Sequence, residues 1–327
     1  MTTTVLVTGG AGYVGSHCCR ALAAAGFLPV SYDNLGRGHR WAVNWGPLEE
    51  GDILDRARLD AAIARHKPAA VLHFAALTYV GESTSDPALY YRVNTTGALT
   101  ILEAMKAAAV PCFVFSSTAA TYGVPLLSPM PESHPQAPIN PYGESKLMVE
   151  RMLRDFGAAY GLRSTPLRYF NAAGADPAGD IGEDHDPETH LIPLVLDAAS
   201  GRRADIAIFG EDYDTPDGTC IRDYVHVADL ADAHVLALRR LLDGGESQAF
   251  NLGNGNGFSV REVIAAAGQV TGREIPVRRG ERRAGDPPVL VADATRAKSV
   301  LGWKPRRAAL EVQIADAWRW HQRHVPG

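Results

Sequence analysis

The chain has little cysteine, no long apolar run and no excess of positive charge. Its four cysteines in 327 residues include no CxxC pair, and Cys18 and Cys19 are adjacent in a stretch of helical composition. This usage predicts reduced thiols in a cytoplasmic protein rather than a disulfide framework. The longest apolar-looking run, AAVLHFAALTYV (69–80), is too short to span a bilayer and contains His73. MTTTVLVTGG shows no basic region ahead of an apolar core, so no signal peptide is expected. The formal net charge of −5 and pI of about 6.1 argue against nucleic acid or an anionic membrane as the main partner. Read along the chain, the eleven histidines form neither HExxH nor a close ligand cluster, and no GxSxG elbow occurs. No metal is therefore expected, and zinc-hydrolase chemistry finds no support.

What is present is an ordinary globular composition, 46% hydrophobic and 21% charged, without repeats or low-complexity tails. In the first half, β-rich runs alternate with helical ones. Strands are expected at 4–10, 28–33, 69–76, 111–118 and 164–171, and helices at 16–27, 55–66, 87–109 and 142–160. Such alternation predicts a doubly wound parallel α/β sheet of Rossmann type. After about residue 172 the texture changes. NAAGADPAGDIGEDHDPE (171–188) reads as loop, followed by a helix at 190–200, a strand at 204–210 and an acidic loop at 211–219. AFNLGNGN (249–256) reads as a strand returning to the sheet. The expected plan is a dinucleotide-binding domain over 1–175, with 220–260 returning to it, and a smaller mixed α/β lobe, mainly 176–327, for the substrate.

GGAGYVG (9–15) satisfies both GxGxxG, through Gly10, Gly12 and Gly15, and GxxGxxG, through Gly9, Gly12 and Gly15. It follows a predicted strand and opens a predicted helix, the context in which backbone N–H groups cradle a pyrophosphate. Asp33 ends the second strand, 23 residues after Gly10. A carboxylate there can accept both adenosine ribose hydroxyls and would repel a 2′-phosphate, so NAD is favoured over NADP. Asp52, in GDI (51–53), is a weaker candidate for the adenine amino group.

In PYGESK (141–146) Tyr142 and Lys146 lie one helical turn apart on one face. A site that moves hydride from an alcohol carbon must also take the hydroxyl proton. A free phenol titrates near ~10, so a neighbouring ammonium is expected to lower that value. A third hydroxyl completes the proton relay. Thr118 is the choice in SSTAATYG (116–123), with Ser116 and Ser117 beside it.

With these motifs on the page, the chain resembles the extended short-chain dehydrogenase/reductase family, with YxxxK as YGESK. More closely it is similar to the UDP-galactose 4-epimerases, through VTGGAGYVGSH, PYGESKLMVE, LRYFNAAGA and RDYVHVADLADAH. The resemblance implies further cofactor contacts from Tyr13, Val14, Asn34, Ile53, Phe74, Ala75, Ala76, Asn94, Ser116 and Tyr169. It implies substrate contacts from Phe170, Asn171, His190, Leu191, Ala207, Ile208, Phe209, Arg222, Tyr224, Arg283, Asp286 and Leu290. Among these, Arg222 and Arg283 would take the diphosphate, Tyr224 and Phe209 the uracil, and Asp286 a ribose hydroxyl. Tyr142 would strip the sugar's O4 proton, and a 4-ketosugar would turn before reduction on its other face. Sugar dehydratases of this fold carry carboxylates directly after the active-site threonine; here Ala119 and Ala120 follow Thr118. His190 stands where the family usually has Asn, Thr78 where a lysine is common, and Leu290 at a position that limits room beside C2. The similarity further implies a homodimer built on helices 87–109 and 142–160. N-acetylhexosamine or pentose nucleotides remain alternative substrates. A net oxidoreductase and a non-catalytic NAD-binding regulator are competing readings; only the first needs the Tyr–Lys pair.

Overall fold

Residues 2–283 and 286–324 are described by the structure, a computed structural model. The outermost residues of the expected domains, Met1 and 325–327, lie outside that range, as do residues 284 and 285. Six strands, β1 (Thr4–Thr8), β2 (Leu28–Asp33), β3 (Leu48–Glu50), β4 (Ala70–His73), β5 (Cys112–Thr118) and β6 (Arg163–Tyr169), are joined by β7 (Phe250–Leu252) in one parallel sheet. The spatial order is β7-β6-β5-β4-β1-β2-β3. Order therefore reverses between β1 and β4, and a crevice opens there beyond the carboxyl ends of the strands. β1, β4 and β5 are buried almost throughout, as a sheet covered on both faces requires.

Helices flank both faces. α1 (Tyr13–Ala24) and the later α6 (Val227–Leu242) pack on one side, while α2 (Arg56–His66), α3 (Gly97–Ala107) and α4 (Pro141–Tyr160) pack on the other. α4 has Asn140 as N-cap, its side chain accepting from Gly143 N at 2.8 Å, and Pro141 at its first turn. It stops at Gly161, whose φ of 73° is left-handed.

Between residues 87 and 109 one continuous helix was expected. The structure breaks it into Pro87–Tyr90, a π-helical turn at Tyr91–Thr96, and α3, with a further short helix at Val80–Ser85 that the sequence pattern did not reveal. The expected strand at 69–76 is cut to its first half, because residues 74–77 leave the sheet as the crevice wall. The 171–188 loop contains a short strand, Asn171–Ala173, paired with Tyr224–His226.

The smaller lobe is held by α5 (Leu191–Ser200), α7 (Val260–Thr271) and α8 (Leu310–His324), which share an apolar core with Tyr224. Buried Asp223 ties lobe to sheet. Its carboxylate accepts from Asn254 N at 2.8 Å and from Gly255 N and Ala292 N, each at 3.1 Å. Burial raises its pKa to about 6 despite those donors.

Edge strand β3 carries Glu49, only 5% exposed, which accepts from Arg65 and His66 at 2.7 Å each and from Arg58 at 2.5 Å. Burial opposes ionisation, but the hydrogen bonds from His66, Arg58 and Arg65 and the charge of Arg58 prevail and draw the carboxyl down to about 2. The stability it contributes is thus complete above the ordinary carboxyl range and is lost as pH falls from there toward 2. Glu49→Gln is expected to lower unfolding free energy at pH 7 by roughly 1–3 kcal/mol. The gap to wild type should close as denaturant titrations are repeated toward pH 2; a constant gap would show that pairing of the charge is not the cause.

Candidate active site

The glycine loop is packed backbone against backbone. Gly9 has φ of 75°, and a Cβ there would meet Ala75 N at 2.5 Å. A Cβ on Gly10 would meet Ser31 Oγ at 2.6 Å, and one on Gly15 would collide with the carbonyl oxygen of Gly9. Gly12 differs. It is the N-cap of α1, has φ of −85°, and a Cβ there would find its nearest neighbour only at 3.4 Å. Its missing side chain is needed by nothing inside the chain. No side chain caps the helix start above it, so the first N–H groups of α1 face the crevice. These features fit a dinucleotide pyrophosphate. Tyr13 points elsewhere: its hydroxyl donates to Gly174 O at 2.6 Å, joining α1 to the 171–188 segment. Val14 follows it in the first turn of the helix.

Asp33, at the end of β2, accepts from Ala11 N at 3.0 Å and Leu35 N at 2.9 Å, one bond to each oxygen. Burial raises its pKa, and these backbone donors oppose that. A carboxylate has about four acceptor positions, so two remain for ribose hydroxyls. Asn34 Nδ2 donates to Asp52 Oδ2 at 2.9 Å, which gathers both candidates at the adenosine end. Ile53 is buried against Gly97.

Asn94, read from sequence as a cofactor or sugar neighbour, spends its amide inside the protein. Oδ1 accepts from Leu77 N at 2.8 Å, and Nδ2 donates to Leu77 O and Ser145 Oγ, both at 3.0 Å. Ser145 Oγ in turn donates to Tyr142 O at 2.7 Å. The π-helical turn thus clamps the crevice wall carrying Phe74, Ala75 and Ala76 to the first turn of α4. The spacing of Asn94 and Ser145 in sequence gives no signal of this.

Lys146 is 2% exposed. Its ammonium donates to Ser116 O at 2.9 Å and lies 4.9 Å from the centre of the Phe115 ring. Burial lowers its pKa to about 7. Tyr142 is partly open to the crevice and hydrogen-bonds with Thr118. Here the structure corrects the sequence reading. Burial raises the phenol's pKa, and Thr118, not Lys146, is what opposes the rise. The ammonium is aimed at a backbone carbonyl, and its own charge is weakened by burial. Ser116 Oγ is bonded to the Tyr169 hydroxyl. Ser117 faces the other way and donates to Glu150 Oε1 at 2.5 Å, so it does not join the relay. Glu150 also holds Arg168, which reaches the Tyr122 hydroxyl at 2.9 Å. This buried network, unforeseen in the sequence, fixes the end of β5 on which Thr118 sits.

In the second lobe, Arg222 pairs with Asp286, not with its neighbour Asp223, and donates to Pro287 O at 2.9 Å. Leu290 lies beside Arg222 in parallel register. Arg282 and Arg283 are exposed, and their guanidinium groups lie over the rings of Tyr213, at 3.9 Å, and Phe209, at 4.1 Å. Ala207 and Ile208 are buried in the strand Ile206–Phe209, and Tyr224 is buried in the lobe's core. Asn171 Nδ2 donates to Asp223 O at 3.0 Å, and Phe170 precedes it, half-buried. His190 caps α5 ahead of Leu191, with Nδ1 at 2.9 Å from Glu183 and 3.0 Å from Glu188. The histidines therefore do form one close cluster with carboxylates, Glu183, His185, Glu188 and His190, contrary to the linear reading. Burial acts against charge on both rings, but the two carboxylates outweigh it and raise His185 to about 9 and His190 to about 10.

Residues 5–253 match the model of the NAD dependent epimerase/dehydratase family. The chain belongs to this family. Among its relatives, the UDP-glucose 4-epimerase of Rhizobium meliloti (strain 1021) is 57% identical over 323 residues, 99% of this chain and 98% of that protein. The crystal structure of UDP-glucose 4-epimerase from Brucella ovis in complex with NAD superposes with a TM-score of 0.95 at 52% identity, covering 97% of this chain and 98% of that one. That of the Bifidobacterium longum enzyme, in complex with NAD+ and UDP, gives 0.92 at 38% identity, covering 98% and 99%. As a member of this family, the chain uses NAD.

The two glycines separate folding from binding. Gly12→Ala is expected to lose bound NAD, read as nicotinamide released per chain on denaturation, and to melt with NAD-stripped wild type. Gly15→Ala is expected to melt markedly lower. Full NAD content in Gly12→Ala would remove that residue from the cofactor's path.

Proposed function

We propose that this protein interconverts UDP-glucose and UDP-galactose by epimerisation at C4 on a retained NAD. The observation that carries the reading is the contact of Tyr142 with Thr118 at the end of β5, with only alanines after the threonine. Ala119 opens a tight turn, and the Thr118 side chain accepts from Ala120 N at 3.1 Å. Elimination of water needs a second acid–base pair on the sugar. Glu150, the carboxylate farther along α4, is engaged by Arg168 and Ser117. One reversible alcohol oxidation is the chemistry these groups support.

Bound NAD supplies the hydride acceptor and donor at the sugar C4, and a positive ring that stabilises the phenolate. Tyr142 takes the O4 proton and later returns it, with the Thr118 hydroxyl sharing the hydrogen bond. Lys146 holds the end of β5 through Ser116 O and offers its remaining donors to the nicotinamide ribose. Arg222 and Arg283 hold the diphosphate by charge-assisted bonds, the former in competition with Asp286. Phe209 flanks the uracil, with Tyr224 buried in the core behind, and Asn171 and His190 border the sugar diphosphate. A firm grip on the nucleotide with few bonds to the sugar leaves the 4-keto group free to present its other face.

Met148, Met152 and Phe156, at i, i+4 spacing on α4, stay half-covered although the last two also pack on the chain's own core, and this supports pairing of two chains through this helix and α3. Among the described residues no helix is long and apolar enough to cross a membrane. With buried free thiols, this favours a homodimer working in the cytoplasm.

Purified protein should convert UDP-galactose to UDP-glucose over many turnovers without added cofactor; arrest after one turnover would favour a net oxidoreductase. Tyr142→Phe is expected to cut kcat by roughly 10²–10⁴-fold while UDP affinity and NAD content stay within error. Retained turnover in that variant would exclude the phenol from proton transfer.

A further inference from the structure

Segment 183–190, EDHDPETH, folds so that Glu183, His185, Glu188 and His190 each turn a ligand-type atom toward one centre, all within 4.8 Å of one another. His185 Nδ1 is 3.3 Å from Glu183 Oε1 and 3.5 Å from Glu188 Oε2. His190 Nδ1 is 2.9 Å from Glu183 Oε1 and 3.0 Å from Glu188 Oε1. Ligands about 2.0–2.1 Å from a tetrahedral ion are spaced about 3.3 Å apart, and the observed nitrogen–oxygen separations bracket that spacing. His185 Nδ1 is a buried atom paired with both carboxylates, at 3.3 and 3.5 Å, without a well-aligned hydrogen bond to either. It faces the space between them, as a nitrogen sharing an ion with both would.

We propose that Glu183, His185, Glu188 and His190 bind one divalent transition-metal ion of zinc type, which displaces the Nδ1 protons of both imidazoles to solvent and is ligated there. The donor set decides the class. Two imidazoles with two carboxylates suit Zn²⁺, whereas Ca²⁺ and Mg²⁺ favour all-oxygen shells. Two carboxylates balance the charge of the ion. Four protein ligands fill a tetrahedral shell and leave no open position, so the ion is structural. His190 keeps Nε2 for the sugar nucleotide.

What the ion would hold is visible in the partners of the segment. Its carbonyls accept from Arg37 at Asp186 (3.1 Å), Tyr79 at Pro187 (2.6 Å) and Trp320 at Glu183 (3.1 Å), and His39 bonds to Asp184 O at 2.9 Å. The rings of Tyr13 and Tyr79 stand edge-on to His185, each at 6.3 Å. The ion would therefore lock together the glycine-loop helix, the crevice wall and the start of α5. This inference does not rest on the reaction proposed above.

Protein treated with a chelator, given ZnCl₂ and desalted should carry one zinc per chain by elemental mass spectrometry, and its melting temperature should rise. Co²⁺ in place of zinc should give the intense visible bands of a tetrahedral site. His185→Ala and Glu183→Gln should lose at least tenfold in retained zinc. Zinc-free wild type after desalting, a weak octahedral Co²⁺ spectrum, or undiminished zinc in folded His185→Ala would each overturn the proposal. Should the variants fail to fold, the wild-type stoichiometry and Co²⁺ spectrum decide alone.

Discussion

The architecture depends on the close approach of two backbones at Gly9 and Gly15. Because Gly15 has no Cβ, the first turn of α1 settles directly on the carbonyl of Gly9. Because Gly9 takes a left-handed conformation, the loop turns under the end of β4 at Ala75. These two contacts aim the open N–H groups of α1 into the crevice where strand order reverses. Asp33, Asp52 and the 74–77 wall then surround the same space, each at the carboxyl end of a strand.

Chemistry at that crevice works against burial. Lys146 is enclosed enough to lose much of its preference for the charged state, and the Tyr142 phenol is likewise held toward its neutral form. The protein's own groups therefore leave the phenol protonated. In the proposed reaction, the extra positive charge needed to free its proton would come with the dinucleotide, so proton transfer would depend on cofactor occupancy. Burial here is functional: in a low-dielectric crevice, one added charge shifts the phenol further than it would in water.

Two interior networks keep the geometry in place. Asn94 ties Leu77 to Ser145, and Glu150 with Arg168 braces the end of β5. Neither touches the reacting atoms. Each crosses between elements remote in sequence, which is why local pattern carries no trace of it. The same is true of Arg222, whose acidic partner is Asp286 and not the adjacent Asp223.

Local patterns determined the alternation of strands and helices, the glycine turn, the Asp33 position and the Tyr142–Lys146 face, because each rests on neighbours within a few residues. The expected single helix at 87–109 failed where a π-helical turn had to present Asn94 inward, a demand set by Leu77 and Ser145. The chain alone also contained the spacing of Glu183, His185, Glu188 and His190, but not their convergence, which arises from folding the segment against Tyr13, Tyr79 and Trp320. Tertiary structure alone decided the protonation tendencies of Tyr142 and Lys146, since those follow from how much water and which dipoles surround them.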